Sequence, residues 1–236
     1  CLGHGLGVQA ARAETAKPIG VVLNFTPGRL ETNTKINTEA LERYEAVTNT
    51  WYLSAIMKGN YPDVALQELE VHLPKSWKND LQIIKEPIDF IGINYYTTVL
   101  LKVGGDKFPF VKIIERNLPK TDMGWDVEPA GLREAIDLVS DYAPNLPLYI
   151  TENGMASKNA IADIDRIEYY KQHLNEVAKA SETLPIKGYF AWSLLDNFEW
   201  AFGYDKRFGL VHVDYETQKR TMKDSFKWWR RELVEK

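Results

Sequence analysis

The sequence places a carboxylate where it could carry out covalent or proton-transfer chemistry. Residues 148–152, Leu-Tyr-Ile-Thr-Glu, end in Glu152 and are followed by Asn153 and Gly154. This short apolar run predicts a buried strand, so Glu152 would lie at its carboxyl end, and Gly154 would let the backbone turn sharply. A carboxylate held in this way can act as a nucleophile or carry a proton. Capping of the next helix, or pairing with an arginine, is an alternative that the pattern alone leaves open.

Polar side chains also end the other apolar runs. Residues 19–25, 88–96 and 186–193 are predicted to be strands as well. At or just after their carboxyl ends lie Asn24, then Asn94 and Tyr96, and then Trp192, Asp196 and Asn197. Active sites of (β/α)8 barrels are built from several strands at that end. We therefore expect these side chains and Glu152 to share one cleft.

Segments with helical spacing separate the predicted strands. Helices are predicted over residues 2–16, 38–58, 132–142, 163–180 and 219–235, and a long extended connection over residues 97–126. Strands separated by helices predict an α/β fold with a parallel sheet. Periodicity does not separate half of an eight-stranded barrel from an open doubly wound sheet, but the polar strand ends favour the barrel. Without an internal repeat or a Gly/Ser linker, residues 1–236 are predicted to form one unit.

Composition narrows the possible partners. The formal net charge is −4 without a basic stripe, which argues against nucleic acid. Apolar runs stay shorter than the ~18 residues of a membrane span, so no membrane partner is expected. Cys1 is the only cysteine, which is compatible with a reducing, cytoplasmic location without establishing it. The histidines are too far apart for metal-ligand spacing, and we expect neither a metal nor a cofactor; they are His4, His72, His173 and His212.

Five motifs together resemble one enzyme family. They are Asn-Tyr-Tyr at 94–96, Met-Gly-Trp at 123–125, Thr-Glu-Asn-Gly at 151–154, the nine residues 192–200, and residues 203–209. In this order and at comparable spacings they resemble the family 1 glycoside hydrolases, the β-glucosidases and their relatives, over essentially the whole chain. The resemblance implies a (β/α)8 barrel that hydrolyses β-glucosides or related oligosaccharides with retention of configuration.

The resemblance also implies catalytic roles. Glu152 would be the nucleophile that forms a covalent glycosyl-enzyme, and the hydroxyl of Tyr96 would hydrogen-bond it and favour its ionised form. Asn94 would act as a donor near the 2-hydroxyl of the reacting sugar. A tyrosine bonded to the backbone and a strand-end cap are the alternatives for Tyr96 and Asn94.

Further residues of the motifs would bind the sugar. By resemblance, Glu199 and Trp200 recognise the distal hydroxyls of the glycone, and Trp192 forms the floor beneath the ring. Trp125 and Phe208 would form walls of the cleft, although packing alone would explain both. A carboxylate at Glu199 would repel a phosphate, so an unphosphorylated glycone is expected.

The acid/base partner of Glu152 is missing from the sequence. A retaining mechanism requires a second carboxyl group about 5 Å from the nucleophile, and in this family it comes from an Asn-Glu-Pro motif that the sequence lacks. Glu86 and Glu128 each precede a proline but follow Lys and Val. We expect the motif to lie upstream of Cys1. The chain would then hold strands five to eight of the barrel and be inactive alone.

Two other classes of protein could contain a parallel α/β sheet of this kind. A non-catalytic sugar-binding or scaffold half-barrel remains the alternative, although such a protein has no need of Glu152 and Tyr96. An open-sheet oxidoreductase is excluded, since no Gly-x-Gly-x-x-Gly turn follows a predicted strand. Because a half-barrel exposes strand edges and its apolar interior, we expect pairing with a complementary N-terminal half or self-association.

Overall fold

Eight α-helices and nine strands lie within residues 1–234, the part of the chain that the computed structural model describes. The helices are α1 (Leu2–Glu14), α2 (Lys35–Thr48), α3 (Thr50–Lys58), α4 (Asp63–Leu69), α5 (Trp77–Ile84), α6 (Pro129–Tyr142), α7 (Ile164–Ser181) and α8 (Asp224–Val234). The strands are β1 (Gly20–Phe25), β2 (Gly28–Leu30), β3 (Phe90–Tyr95), β4 (Val99–Val103), β5 (Val111–Ile114), β6 (Leu148–Asn153), β7 (Ile186–Ala191), β8 (Val211–Val213) and β9 (Arg220–Met222).

The main sheet is parallel, with the strand order β1-β3-β6-β7. Its four strands are the four predicted from apolar runs, and helices lie between them along the chain. Ile91 and Ile93 of β3 and Ile150 of β6 belong to one buried cluster with Leu132 and Ile136 of α6, and all five are fully buried. Burial of these side chains between sheet and helices stabilises the layer. The prediction of an α/β fold with a parallel sheet is confirmed.

The other face of the sheet is open within residues 1–234. Val22 of β1 is 46% exposed and Phe190 of β7 is 57% exposed. The apolar composition of residues 19–25 indicated a strand buried on both faces, and this prediction is wrong for β1. The described helices pack on one face only, where Val21, Leu23 and Phe25 lie in the core.

The helix predicted over residues 38–58 is two helices that meet at Asn49. The Asn49 side chain is buried and bonds the backbone of the loop after β1: its Oδ1 accepts the Thr26 N–H at 2.8 Å, and its Nδ2 donates to the Thr26 carbonyl at 3.1 Å. The interruption therefore satisfies backbone groups that would otherwise be buried without partners.

The connection predicted over residues 97–126 contains a hairpin. Strands β4 and β5 pair antiparallel, and β4 also pairs with β2 in a separate three-stranded sheet. The predicted extended connection thus contains two strands, over residues 99–103 and 111–114, that the prediction did not include. These strands are short, and only Leu101 among their residues is buried, so they lack the longer apolar run of the main strands.

The predicted C-terminal helix begins later than expected. Residues 220–222 form β9, which pairs antiparallel with β8, and α8 starts at Asp224. The predicted end at Glu235 lies outside the described residues. Within residues 1–234, no helix is both long and apolar enough to cross a membrane.

Candidate active site

A cavity of about 930 Å³ lies at the carboxyl ends of the main strands. Register explains why polar side chains meet there, since Asn24 of β1 pairs with Asn94 of β3, and Asn94 pairs with Glu152 of β6. The cavity is lined by Asn24, Asn197 and eight further predicted residues, which are Asn94, Tyr96, Trp125, Glu152, Trp192, Glu199, Trp200 and Phe208. Asp196, which was expected in the same cleft, does not line it, because its carboxylate is fully buried and paired with Lys223 and Arg207. Among residues 1–234, no group of three or more His, Cys, Asp or Glu side chains could hold a metal ion.

A bulge in β6 directs Glu152 into the cavity. Ile93 pairs with Ile150, but the next residue, Asn94, pairs with Glu152, so Thr151 is the extra residue. In a regular strand, Glu152 would lie on the same face as the buried Ile150, and the extra residue reverses its direction. The Thr151 hydroxyl donates to Asn94 Oδ1 at 2.7 Å. The sequence offered no signal for this bulge.

Tyr96 and Glu152 form the central hydrogen bond of the site. The Tyr96 hydroxyl donates to Glu152 Oε2 at 2.6 Å. Burial, followed by the bond to the Glu152 carboxylate, raises the pKa of Tyr96 far above its ordinary value, so the phenol stays protonated and remains a donor. The contact therefore fixes one oxygen of Glu152 within the cavity.

Asn153 fixes the backbone beside Glu152 from the helix-facing side. Its side chain is fully buried; Nδ2 donates to the Tyr95 carbonyl at 2.8 Å and to the Tyr169 hydroxyl at 2.9 Å, and Oδ1 accepts the Tyr189 hydroxyl at 2.6 Å. Because every polar atom of the amide has a partner, the carboxyl end of β6 is held rigidly.

Gly154 is required for a reason that differs from the predicted one. A Cβ atom at this position would lie 1.8 Å from the Trp192 carbonyl oxygen, and its φ lies outside the left-handed region. The constraint is therefore the close approach of two backbones, not a sharp turn.

Three aromatic rings form one wall of the cavity. The Tyr96 ring centroid lies 5.5 Å from that of Trp125 and 6.0 Å from that of Phe208, and the latter two are 6.2 Å apart. Phe208 is only 2% exposed. It supports the other two rings and presents little of its own surface to the cavity.

A loop over residues 197–208, which we call the recognition loop, brings a second carboxylate to the cavity. The Glu199 N–H donates to the Gly203 carbonyl at 2.6 Å. Burial, followed by the charge of Glu152, raises the pKa of Glu199, which indicates that the two carboxylates share one electrostatic environment. Trp200 lies at the rim and is 82% exposed, whereas Trp192 is half-buried.

The recognition loop is also tied to the segment that carries Trp125. Lys206 Nζ donates to the Asp122 carbonyl at 2.6 Å and lies 3.2 Å from Asp122 Oδ2. Asp122 is three residues before Trp125 in a turn closed by the bond from the Thr121 N–H to the Trp125 carbonyl at 2.9 Å. The two sides of the cavity are thus linked directly.

The residues that line the outer part of the cavity were not predicted from the sequence. Leu100 of β4 and Ile113 and Ile114 of β5 line it, because the hairpin folds over the carboxyl ends of the main strands. The apolar residues of 99–103 (Val-Leu-Leu-Lys-Val) and 111–114 (Val-Lys-Ile-Ile), with β-branched residues among them, were the available signal. An ion-pair network braces this hairpin, in which Arg116 donates to Asp126 at 2.6 Å and to Glu128 at 2.7 Å.

Comparison with known proteins supplies the family. The model of glycosyl hydrolase family 1 matches residues 1–236. β-Glucosidase A of Thermotoga maritima is 45% identical over 185 residues, covering 75% of this chain and 42% of the relative. The bifunctional β-D-glucosidase/β-D-fucosidase of Bifidobacterium breve is 38% identical over 263 residues, covering 99% of this chain and 56% of the relative.

Solved structures of similar proteins indicate the same family. The family 1 β-glucosidase of Thermotoga maritima superposes with a TM-score of 0.92 and 40% identity over 96% of this chain and 53% of that chain, and its complex with isofagomine lactam superposes with a TM-score of 0.91. The chain thus spans about half the length of the relatives that it matches. The family match and these relatives together show that the chain belongs to glycosyl hydrolase family 1.

Proposed function

We propose that this chain contributes the nucleophile to the retaining hydrolysis of β-glucosides with an unphosphorylated glycone. The observation that carries the proposal is the 2.6 Å hydrogen bond from Tyr96 to Glu152 inside the cavity, in a chain whose relatives are β-glucosidases. A carboxylate with one oxygen fixed and one free is suited to nucleophilic attack.

The proposed reaction has two steps. In the first, a Glu152 oxygen bonds to the anomeric carbon as the glycosidic bond breaks, and a second carboxyl group protonates the leaving oxygen. In the second, that group takes a proton from water, whose oxygen displaces Glu152 and releases the sugar. Tyr96 keeps Glu152 oriented, and Asn94, held by Thr151, lies beside Glu152 where it would meet the 2-hydroxyl.

The remaining residues of the cavity would bind the sugar. Glu199 would accept hydrogen bonds from the distal hydroxyls, and the Trp200 indole N–H would donate one. Trp192 would lie beneath the pyranose ring, whose C–H groups pack on an aromatic face. Trp125 would contact the leaving group, with Phe208 behind it.

The acid/base glutamate is proposed to come from outside this sequence. Besides Glu152, the carboxylates that line the cavity among the described residues are Glu115, Asp126 and Glu199. Glu115 is exposed, Asp126 is paired with Arg116 and Lys120, and Glu199 is assigned to the glycone. The chain alone is therefore expected to be inactive.

The rest of the barrel is proposed to complete the fold. Residues 1–236 would form one half-barrel unit in which β1, β3, β6 and β7 are strands five to eight of a (β/α)8 barrel. The edges of the sheet at β1 and β7 would then pair with strands of the other half. The same half would cover the exposed side chains of Val22 and Phe190. Self-association is the expected substitute when that half is absent, and monodisperse monomers in light scattering at high concentration would contradict this.

Covalent labelling tests the function. The chain is incubated with a 2-deoxy-2-fluoroglucoside that carries an activated leaving group, alone and with the N-terminal half of a family 1 β-glucosidase, and intact mass and turnover are followed. One added sugar on Glu152, with turnover only in the mixture and no label in Glu152→Gln, supports the proposal. Absence of label under both conditions favours a non-catalytic sugar-binding half-barrel.

A further inference from the structure

The carboxylate of Asp196 is buried beneath the recognition loop with partners on both oxygens. Its side chain has no exposed surface and lies outside the cavity lining. Oδ1 accepts from Lys223 Nζ at 2.8 Å and from the Gly209 N–H at 2.9 Å. Oδ2 accepts from Arg207 Nη1 at 2.9 Å and from the Val213 N–H at 3.3 Å. A carboxylate with this many donors is a structural anchor.

The bonds of Asp196 close the base of the recognition loop. Asp196 precedes the loop and Gly209 follows it, and a Cβ atom on Gly209 would lie 2.1 Å from the Asp196 nitrogen. The two ends of the loop are therefore in direct contact. Between them, several aromatic side chains are largely exposed and add little buried area; they are Phe198, Trp200, Phe202 and Tyr204. Apart from the contact of Lys206 with Asp122, the loop thus depends on its base for its conformation.

Lys223 ties this base to the C-terminal segment. Its side chain is fully buried, and an ammonium buried this deeply requires a charged partner. Two residues further on, the fully buried Ser225 bonds Asp163 at the start of α7: its N–H donates to Oδ1 at 2.9 Å and its hydroxyl to Oδ2 at 2.6 Å. The same short segment therefore makes two buried polar anchors, one to the recognition loop and one to α7.

We propose that the Asp196–Lys223 ion pair is a positioning device for sugar recognition. It holds the recognition loop so that Glu199 and Trp200 reach the distal hydroxyls of the glycone. Lys223 thereby determines specificity without lining the cavity. The effect of the ion pair on substrates rests on the proposed function, whereas the effect of the ion pair on the loop is independent of that function.

Hydrogen exchange of the chain itself tests the effect on the loop. Lys223→Met removes the charge and keeps the length of the side chain, and Ser225→Ala is the matched control that removes the hydroxyl bond of the other anchor of the same segment and keeps its backbone N–H bond. We expect exchange within residues 197–208 to accelerate by about tenfold or more in Lys223→Met and to stay near wild type in Ser225→Ala. Equal loop exchange in the two variants would overturn the proposal. Should Lys223→Met not fold, the double variant Asp196→Asn/Lys223→Met removes both charges of the fully buried pair, while Arg207, which loses its carboxylate partner, is 26% exposed to solvent; this variant is expected to show the same loop acceleration.

Substrate discrimination tests the effect on recognition, with the N-terminal half supplied. The ratio of kcat/KM for an aryl β-glucoside to that for its 4-deoxy analogue is expected to be about tenfold or more in the wild type. It should fall toward one in Lys223→Met and stay unchanged in Ser225→Ala. An unchanged ratio in Lys223→Met would refute the role in recognition. A wild type without label on Glu152 would instead refute the proposed function, and loop exchange would still decide whether the ion pair positions the loop.

Discussion

Replacing Tyr96 by Phe removes one oxygen atom and with it the hydrogen bond to Glu152 Oε2 at 2.6 Å. The ring is expected to stay in place, because it packs against Trp125 and Phe208. A hydrogen bond to a charged group contributes about 1.5–3 kcal/mol. If that amount is lost when Glu152 attacks the sugar, the rate falls by about 10- to 100-fold.

The assay for this variant is the rate of covalent labelling by a 2-deoxy-2-fluoroglucoside, followed by intact mass with the N-terminal half of a family 1 β-glucosidase supplied. Tyr95→Phe is the matched control: its hydroxyl donates to the Glu128 carbonyl at 2.5 Å on the helix-facing side of the same strand. This control should lower the free energy of unfolding by about 1 kcal/mol and leave the labelling rate unchanged. If Tyr96→Phe is labelled at a rate within about twofold of the wild-type rate, the role assigned to the Tyr96 hydroxyl is refuted.

Three further predictions concern other parts of the site. Gly154→Ala should lower the free energy of unfolding by about 1–3 kcal/mol or more, because its methyl group would overlap the Trp192 carbonyl; an unchanged denaturant midpoint would contradict this. Since burial and the charge of Glu152 raise the pKa of Glu199, Glu199 should protonate at a higher pH than an ordinary glutamate and lose its capacity as a double acceptor, so KM for a glucoside should rise in acid. Glu199→Gln should show a high KM without this pH dependence, and identical pH profiles of the two proteins would contradict the assignment. Burial alone would raise the pKa of Asp196, but Lys223 and Arg207 hold it below its ordinary value. The stabilisation that this carboxylate contributes is therefore present above about pH 4 and is lost as the pH falls through the lowered pKa. In that pH range, Asp196→Asn should reduce the slope of the free energy of unfolding against pH by up to about 1.4 kcal/mol per pH unit.

The four main strands could be predicted because each buries apolar side chains against helices, which leaves a continuous apolar run in the sequence. Their carboxyl ends then determined which polar residues meet, as with Asn94 and Glu152. Assignment of roles to Trp192, Glu199 and Trp200 depended on the resemblance to a family and not on periodicity.

What escaped prediction depends on partners distant in sequence. The bulge at Thr151 exists only in the register with β3, and the break at Asn49 serves the backbone of Thr26, 23 residues away. The hairpin β4–β5 and the pair β8–β9 consist of strands of three to five residues, which are too short to show a clear periodicity in the sequence. Such features are decided by tertiary contacts, to which local patterns are insensitive.

The contact between Lys206 and Asp122 bears on how the specificity of this protein could evolve. It joins the loop that carries Glu199 to the turn that carries Trp125, so residues on the proposed sugar side and the proposed leaving-group side of the cavity do not move independently. Substitutions on one side should therefore show epistasis with substitutions on the other, because effects on stability and affinity are non-additive among residues that share a contact. A lineage that adapts to a new leaving group would alter its preference among sugars at the same time, unless this lysine is replaced first.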